Sequence, residues 1–355
     1  MESIQQASLV KKVCEIYDKL SKLESLKPSK HVDDLFTELV HTCIPHSSID
    51  IAALPANVQE LRSKLIRLCG EAEGYLEAHF STILASFENP LHHLNVFPYY
   101  SNYLKLSLLE YNILNQACFT TSQAPKHVAF VGSGPLPLTS IVMASSHLKE
   151  STFHNYDIDP LANSMASRLV TFDDDLSKRM VFHTADIMDV THEMKQYDVV
   201  FLAALVGMDV DEKTKVIEHL AMFMAPGAIL MLRSAHGARA FLYPVVEPQV
   251  LKGFEVLSVF HPDDDVINSV VISRKHPKTV DTGHNNHHPL ANASIMPSSC
   301  KYFTTPVIVD LTTVEEVPGL IEVQIPLFVG ASCRIAIEFQ TPSVVSRLHR
   351  RRGGA

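Results

Sequence analysis

The stretch HVAFVGSGPLP, residues 127–137, decides the reading of this 355-residue chain. Four apolar residues, Val128 to Val131, run straight into glycine, as a strand buried on both faces does. Gly132 and Gly134 permit a tight turn and a close backbone approach to a ligand, and the helix predicted over 137–147 offers free N–H groups at its start. Pro137 stands where a dinucleotide fingerprint needs a third small residue, so the NAD(P) pattern fails. A Gly-x-Gly turn with no pyrophosphate to seat suits S-adenosylmethionine (SAM). An ordinary glycine turn is the competing explanation.

Downstream, strands and helices alternate. TFHNYDID (152–159) reads as a strand ending in acid, 160–170 as a helix, and MVFHTAD (180–186) and YDVVFLAAL (197–205) as strands. A helix over 211–224 leads through Pro226-Gly227 to the strand AILMLRS, and FEVLSVFHP and VINSVVISRK form an antiparallel pair. This rhythm predicts a doubly wound α/β sheet.

Upstream the texture is helical. Leu9, Val13, Ile16, Leu20 and Leu23 mark an amphipathic helix from Ile4 to Leu26, and 31–44 and 57–87 repeat the pattern, with Asn57 as the expected cap. After Glu88-Asn89-Pro90 a loop runs to Phe97-Pro98, and a helix over 100–117 carries Leu104, Leu108, Tyr111 and Leu114 on one face. The expected division is a helical domain (1–120), a Rossmann-like domain (121–275) and an atypical tail (276–355), read as linker and poorly ordered.

Composition narrows the function. Lys and Arg number 30 against 39 Asp and Glu, a net charge of −9, which argues against a nucleic-acid partner. No apolar run reaches the roughly 18–20 residues of a membrane span. The opening MESIQQASLVKK lacks a signal-peptide layout, and six scattered cysteines (14, 43, 69, 118, 300, 333) suggest reduced thiols in the cytoplasm.

Several residues are placed for chemistry. Asp157, 23 residues after Gly134 at the end of the second strand, is positioned to hold ribose hydroxyls, Asp159 with Pro160 to cap the next helix, and Asp186 to meet an adenine amino group. Each acid alone would serve equally as a cap. Glu73 and Glu77 edge the apolar stripe of Cys69, Ala72, Leu76, Phe80 and Ile83, either as functional acids or as a solvated flank. Tyr100 and Tyr103 share a helical face and suit core packing as well as function. Arg233 and His236, after the fifth strand, would suit a carboxylate or simply occupy a loop. His284, His287 and His288 lack a second set of ligands, so no metal site is expected.

FPYYSNYLKLSLLEYNIL, HVAFVGSGPLPLTSIVMA, NYDIDPLANSMASRLV, YDVVFLAALVGMD and LRSAHGARAFLYPVV together resemble the plant nicotianamine synthases. The resemblance covers roughly the first four-fifths of the chain; beyond about residue 290 the sequence departs from the family's short polar end. It implies a helical bundle packed on a class I methyltransferase-like sheet. The implied reaction condenses three SAM molecules by two aminocarboxypropyl transfers and one ring closure, giving nicotianamine, a metal chelator and phytosiderophore precursor, with three methylthioadenosines released. It points to Glu77 and Tyr103 as catalytic, with Glu73, Tyr100 and Glu110 as alternatives. SAM would touch Gly132, Ser133, Gly134, Pro135, Asp157, Ile158, Asp186, Ala203 and Arg233. SAM is then substrate, with no other cofactor expected. A homo-oligomer is left open.

Overall fold

A computed structural model describes residues 2–44, 49–118 and 124–277, with two short strands further on. The helical part holds α1 (Glu2–Leu20), α2 (Lys30–Cys43), α3 (Ala56–Leu84) and α4 (Tyr100–Cys118). Helix α1 stops six residues before the expected limit, because Ser21, Ser25 and Pro28 favour turns over helix. Ser29 caps α2, its Oγ accepting from Val32 N at 3.3 Å. The N-cap of α3 is Pro55, not Asn57: the Pro55 carbonyl accepts from Val58 and Gln59 N–H groups, leaving Asn57 inside the first turn. The segment before α4, expected as loop, contains a 3-10 turn over Pro90–Val96.

Helix α4 is rotated relative to its expected face. Leu104 and Leu108 are 39% and 49% exposed, while Leu106, Ser107, Glu110, Ile113 and Leu114 are buried. The cause is Glu110, which turns inward to an arginine on the sheet.

The sheet domain runs β1 (His127–Val131), α5 (Leu138–Val142) with a π turn to His147, β2 (Thr152–Asp157), α6 (Pro160–Val170), α7 (Leu176–Arg179), β3 (Met180–Thr184), β4 (Val199–Leu202), α8 (Val210–Phe223), β5 (Ile229–Ser234), β6 (Phe254–Phe260) and β7 (Ser269–Lys275). Seven strands lie in the order β3-β2-β1-β4-β5-β7-β6. β1 to β5 are parallel, and β7 inserts antiparallel between β5 and β6. The order in which strands are added switches sides of the sheet between the parallel neighbours β1 and β4, which opens a crevice at their carboxyl ends, where the glycine turn lies.

One face of the sheet, with Phe130, Phe153, Phe201 and Ile272, packs against Phe80, Leu84, Phe97, Leu106 and Leu114 of the helical part. The other face packs on Val216, Ile217 and Leu220 of α8. A third core joins α1, α2 and α3, and Phe241 and Leu242 from the segment after β5 complete it. Among the described residues no helix is long and apolar enough to cross a membrane. In the tail, β8 (Ile321–Val323) and β9 (Ile335–Ile337) pair antiparallel; the rest, including His284, His287 and His288, lies outside the described residues.

Candidate active site

The glycine turn is built so that only glycine fits. Gly132 and Gly134 have φ of +79° and +67°, in the left-handed region. A Cβ on Gly132 would sit 2.3 Å from Val206 Cγ2, and one on Gly134 would sit 2.6 Å from Glu77 Oε2. The turn is tied to β2: Gly132 N donates to Tyr156 O at 2.8 Å, and Gly134 N to Asp157 Oδ2 at 2.8 Å. Asp157 Oδ1 accepts from Asp159 N at 3.0 Å, and Asp159 caps α6 by accepting from Leu161 N at 2.8 Å. The loop after β4 closes on the turn from the other side. Lys213, on α8 and only 3% exposed, holds that loop by donating to the carbonyls of Ala203 (3.1 Å) and Ala204 (2.9 Å). Burial pulls the Lys213 ammonium down to about 7.

The turn opens into a cavity of about 860 Å³ bounded by the sheet below and by α2, α3 and α4 above. That size is within the range of small-molecule sites. Its walls carry six acidic residues (Asp33, Glu71, Glu73, Glu77, Asp157 and Asp159) and one basic residue, Arg233. Arg233 does not sit in a loop: it belongs to β5, is 8% exposed, and forms a bidentate pair with the wholly buried Glu110 at 2.7 and 3.0 Å. Burial opposes its charge, but the Glu110 carboxylate outweighs that and holds the guanidinium above its ordinary value. Its positive charge is therefore already matched by Glu110, and the other charged residues on the cavity walls are all acids.

Two tyrosine–glutamate hydrogen bonds project into this space. Tyr103 Oη donates to Glu77 Oε1 at 3.2 Å, and Tyr243 Oη donates to Glu73 Oε2 at 2.9 Å. Glu77 is held well above the usual carboxylate range, first by burial and then by the charge of Glu73, against the opposing Tyr103 hydrogen bond. Burial also raises Glu73, opposed by Tyr243 and Arg233. At the α2 end of the cavity Asp33 is raised to about 6 by burial and by Asp34. Ser133 Oγ, Ser140 Oγ and Asn268 Nδ2 belong to the cavity lining and are buried without a protein hydrogen-bond partner, which leaves them available to a ligand.

The structure thus brings Gly132, Ser133, Gly134, Pro135, Asp157, Ala203, Arg233, Glu73, Glu77 and Tyr103 to one cavity. It does not bring five others there. Asp186 turns its carboxylate to Met188 N (2.9 Å) and caps a 3-10 turn, and Ile158 is 68% exposed. Glu110 is spent on Arg233, and Tyr100 packs against the core beside the sheet, while its neighbour Tyr99 lines the cavity. His236 stacks on His261 with ring centroids 4.0 Å apart. Tyr243, Asp33, Asn268 and Lys213 escape sequence reasoning, because each reaches the site through a long-range fold contact that no local spacing encodes.

A doubly wound sheet with a glycine turn and a strand-end acid facing an acidic cavity defines a Rossmann-type, methyltransferase-like fold. The family model described as nicotianamine synthase protein matches residues 1–280. Among curated relatives, a nicotianamine synthase of Solanum lycopersicum is 65% identical over 269 residues, covering 76% of this chain and 84% of that one. A probable nicotianamine synthase 4 of Arabidopsis thaliana is 66% identical over 273 residues, with the same coverages. A crystal structure of a point mutant of MtNAS in complex with S-adenosylmethionine shares the fold, with a TM-score of 0.60 at 21% identity, over 76% of this chain and 98% of that one. The chain belongs to the nicotianamine synthase family.

Proposed function

We propose that the protein is a SAM-dependent transferase that makes nicotianamine from three molecules of SAM. The observation that carries this reading is the Tyr103–Glu77 pair set against Gly134 in a cavity lined with acidic residues. A sulfonium is already a good leaving group, so the protein's work is to position two substrates and take up a proton. Each transfer forms a C–N bond from an amine to the γ-carbon of an aminocarboxypropyl group and breaks that carbon's bond to sulfur. Methylthioadenosine leaves neutral, the positive charge passes to the nitrogen, and one proton must be released to return it to a neutral amine. An α-amine with an ordinary pKa of about 7.7–8 must be deprotonated before it attacks. A carboxylate raised by burial is better matched to that task than an exposed one, and Tyr103 keeps it aimed.

In this reading the glycine turn, Asp157 and the loop at Ala203 hold the nucleoside of the donor, and Glu77 is the base for the acceptor amine. Arg233, with its charge satisfied by Glu110, orients the wall between them. The helical part, residues 1–120, acts as a cap over the sheet domain, residues 121–275. Cys14, Cys43 and Cys69 are free thiols, which supports a reducing, cytoplasmic setting.

The test is incubation of the purified protein with SAM alone, followed by mass spectrometry. Methylthioadenosine together with nicotianamine, with no second substrate added, is the expected result. S-adenosylhomocysteine appearing only on addition of an acceptor would overturn it in favour of a small-molecule methyltransferase.

A further inference from the structure

Among the described glycines, Gly74 alone has no local reason to be glycine. It sits in the interior of α3, where glycine costs helix stability relative to alanine. Gly132, Gly134, Gly207, Gly227, Gly237 and Gly253 have a left-handed backbone, and a Cβ on Gly70 would press on Met208 Cε at 3.2 Å. Gly74 has neither constraint: a Cβ there would meet no protein atom within 4 Å, although the residue lines the cavity. Resting on the synthase reading, we propose that Gly74 is a specificity-determining position: its missing side chain keeps open a slot between α3 and the glycine turn, in which bound SAM lies against the bare helix backbone.

Helix α3 touches the sheet part on either side of this gap. Gly70 and Glu77 stand seven residues apart on α3, so they point to nearly the same side, about 10 Å apart along the axis. At Gly70, Met208 and Leu205 from the loop after β4 come within 3.2 and 3.5 Å of where a Cβ would sit. At Glu77, the carboxylate lies 2.6 Å from the corresponding point on Gly134. Between these two contacts, at Gly74, the helix is held off the sheet part and nothing of the protein fills the space.

The walls beside the gap suit a small amphipathic ligand. Leu205, Val206 and Met208 offer apolar surface, and Ser133, 6% exposed, carries a hydroxyl with no protein partner. Apolar lining with a few unpaired polar groups is how small-molecule sites are built, and a buried hydroxyl left unpaired is costly until a ligand or water meets it. A methyl group at position 74 would therefore project into space that the protein leaves empty and the ligand uses. Stability and binding should respond with opposite signs, and a packing role for Gly74 would move them together.

The experiment compares Gly74→Ala and Gly74→Leu in the full chain with Ser63→Ala, a control on the same helix whose exposed hydroxyl donates to Gln59 O and does not line the cavity. The readouts are the thermal midpoint, the Kd for SAM by calorimetry, and KM and kcat from methylthioadenosine release. Gly74→Ala is expected to raise the midpoint by roughly 2 °C, as alanine replaces a helix-interior glycine. It should also weaken SAM binding and raise KM by about tenfold or more, the usual cost of an extra methyl in a packed site. Gly74→Leu should weaken binding further, and Ser63→Ala should keep the wild-type Kd. Wild-type SAM affinity in both Gly74 variants would overturn the proposal, since nothing would then lie against that backbone. A lowered midpoint in Gly74→Ala would overturn it by showing that the protein itself fills the space, and equal weakening in Ser63→Ala would assign the effect to the stiffness of α3. A wild type that binds SAM but makes no nicotianamine would instead sink the synthase reading, and the Kd comparison would still decide the slot.

Discussion

At the scale of single residues, Gly134 carries two constraints at once: a left-handed backbone and contact with the Glu77 carboxylate. Gly134→Ala should cost on the order of 1–3 kcal/mol in backbone strain and displace the base, so both the thermal midpoint and SAM affinity fall. Wild-type affinity in this variant would show that the turn does not face the ligand. Glu77→Gln keeps the shape of the side chain but cannot take a proton. Turnover should drop by roughly 10²–10⁴ while SAM binding by calorimetry stays close to wild type; undiminished turnover removes Glu77 from the mechanism. Asp157→Ala should act the other way and weaken SAM binding, since its carboxylate both anchors Gly134 N and faces the cavity.

At the scale of elements, α4 and β5 are locked by Glu110 and Arg233, a charged pair with almost no water around it. Breaking one partner strands the other. Arg233→Met is expected to cost about 3–5 kcal/mol in urea unfolding, and adding Glu110→Leu should return much of that. Helix α8 carries a further buried basic residue. Lys213 has a folded-state pKa of about 7 against an ordinary 10.5. Between those values the unfolded chain binds a proton that the folded chain does not, so this residue's contribution to stability rises with pH, by about 1.4 kcal/mol per unit. Below pH 7 its penalty is fully present. Urea unfolding should therefore show wild type gaining on Lys213→Met from pH 7 to pH 10. A constant difference would mean that Lys213 stays charged throughout.

At the scale of the whole molecule, the helical part and the sheet share their cores. Phe241 and Leu242 follow β5 in sequence but sit among Leu35, Leu39 and Leu65. Arg62 Nε donates to Ala240 O at 2.6 Å, and Arg239 binds the carbonyls of Pro262 and Asp264. The two parts should therefore unfold together: Phe241→Ala should cost about 3–5 kcal/mol and lower one transition in calorimetry, not split it into two. The described cavity is lined by residues 26–268, and the family match ends at 280. A chain ending at residue 280 is expected to keep SAM binding and product formation at wild-type levels; loss of either would assign a role to the remaining residues.

Much of this protein was legible in its sequence, because the signals were local. The alternation of buried strands and helices, the Gly132–Gly134 turn, the acid at 157 and the cap at Asp159 all follow from periodicity and turn chemistry within a few residues. The motifs that resemble the nicotianamine synthases are equally local. What the sequence left open is set by packing at long range. The face of α4 is decided by where Arg233 lies, 123 positions away, not by the spacing of Leu104 and Leu108. Asp186 has the same strand-end position as Asp157, and only the tertiary structure turns one carboxylate to the cavity and the other to a local cap. Tyr243 finds Glu73 across 170 residues. Local physics determined which elements form, and burial of charge and phenol in a shared interior decided which of their side chains meet.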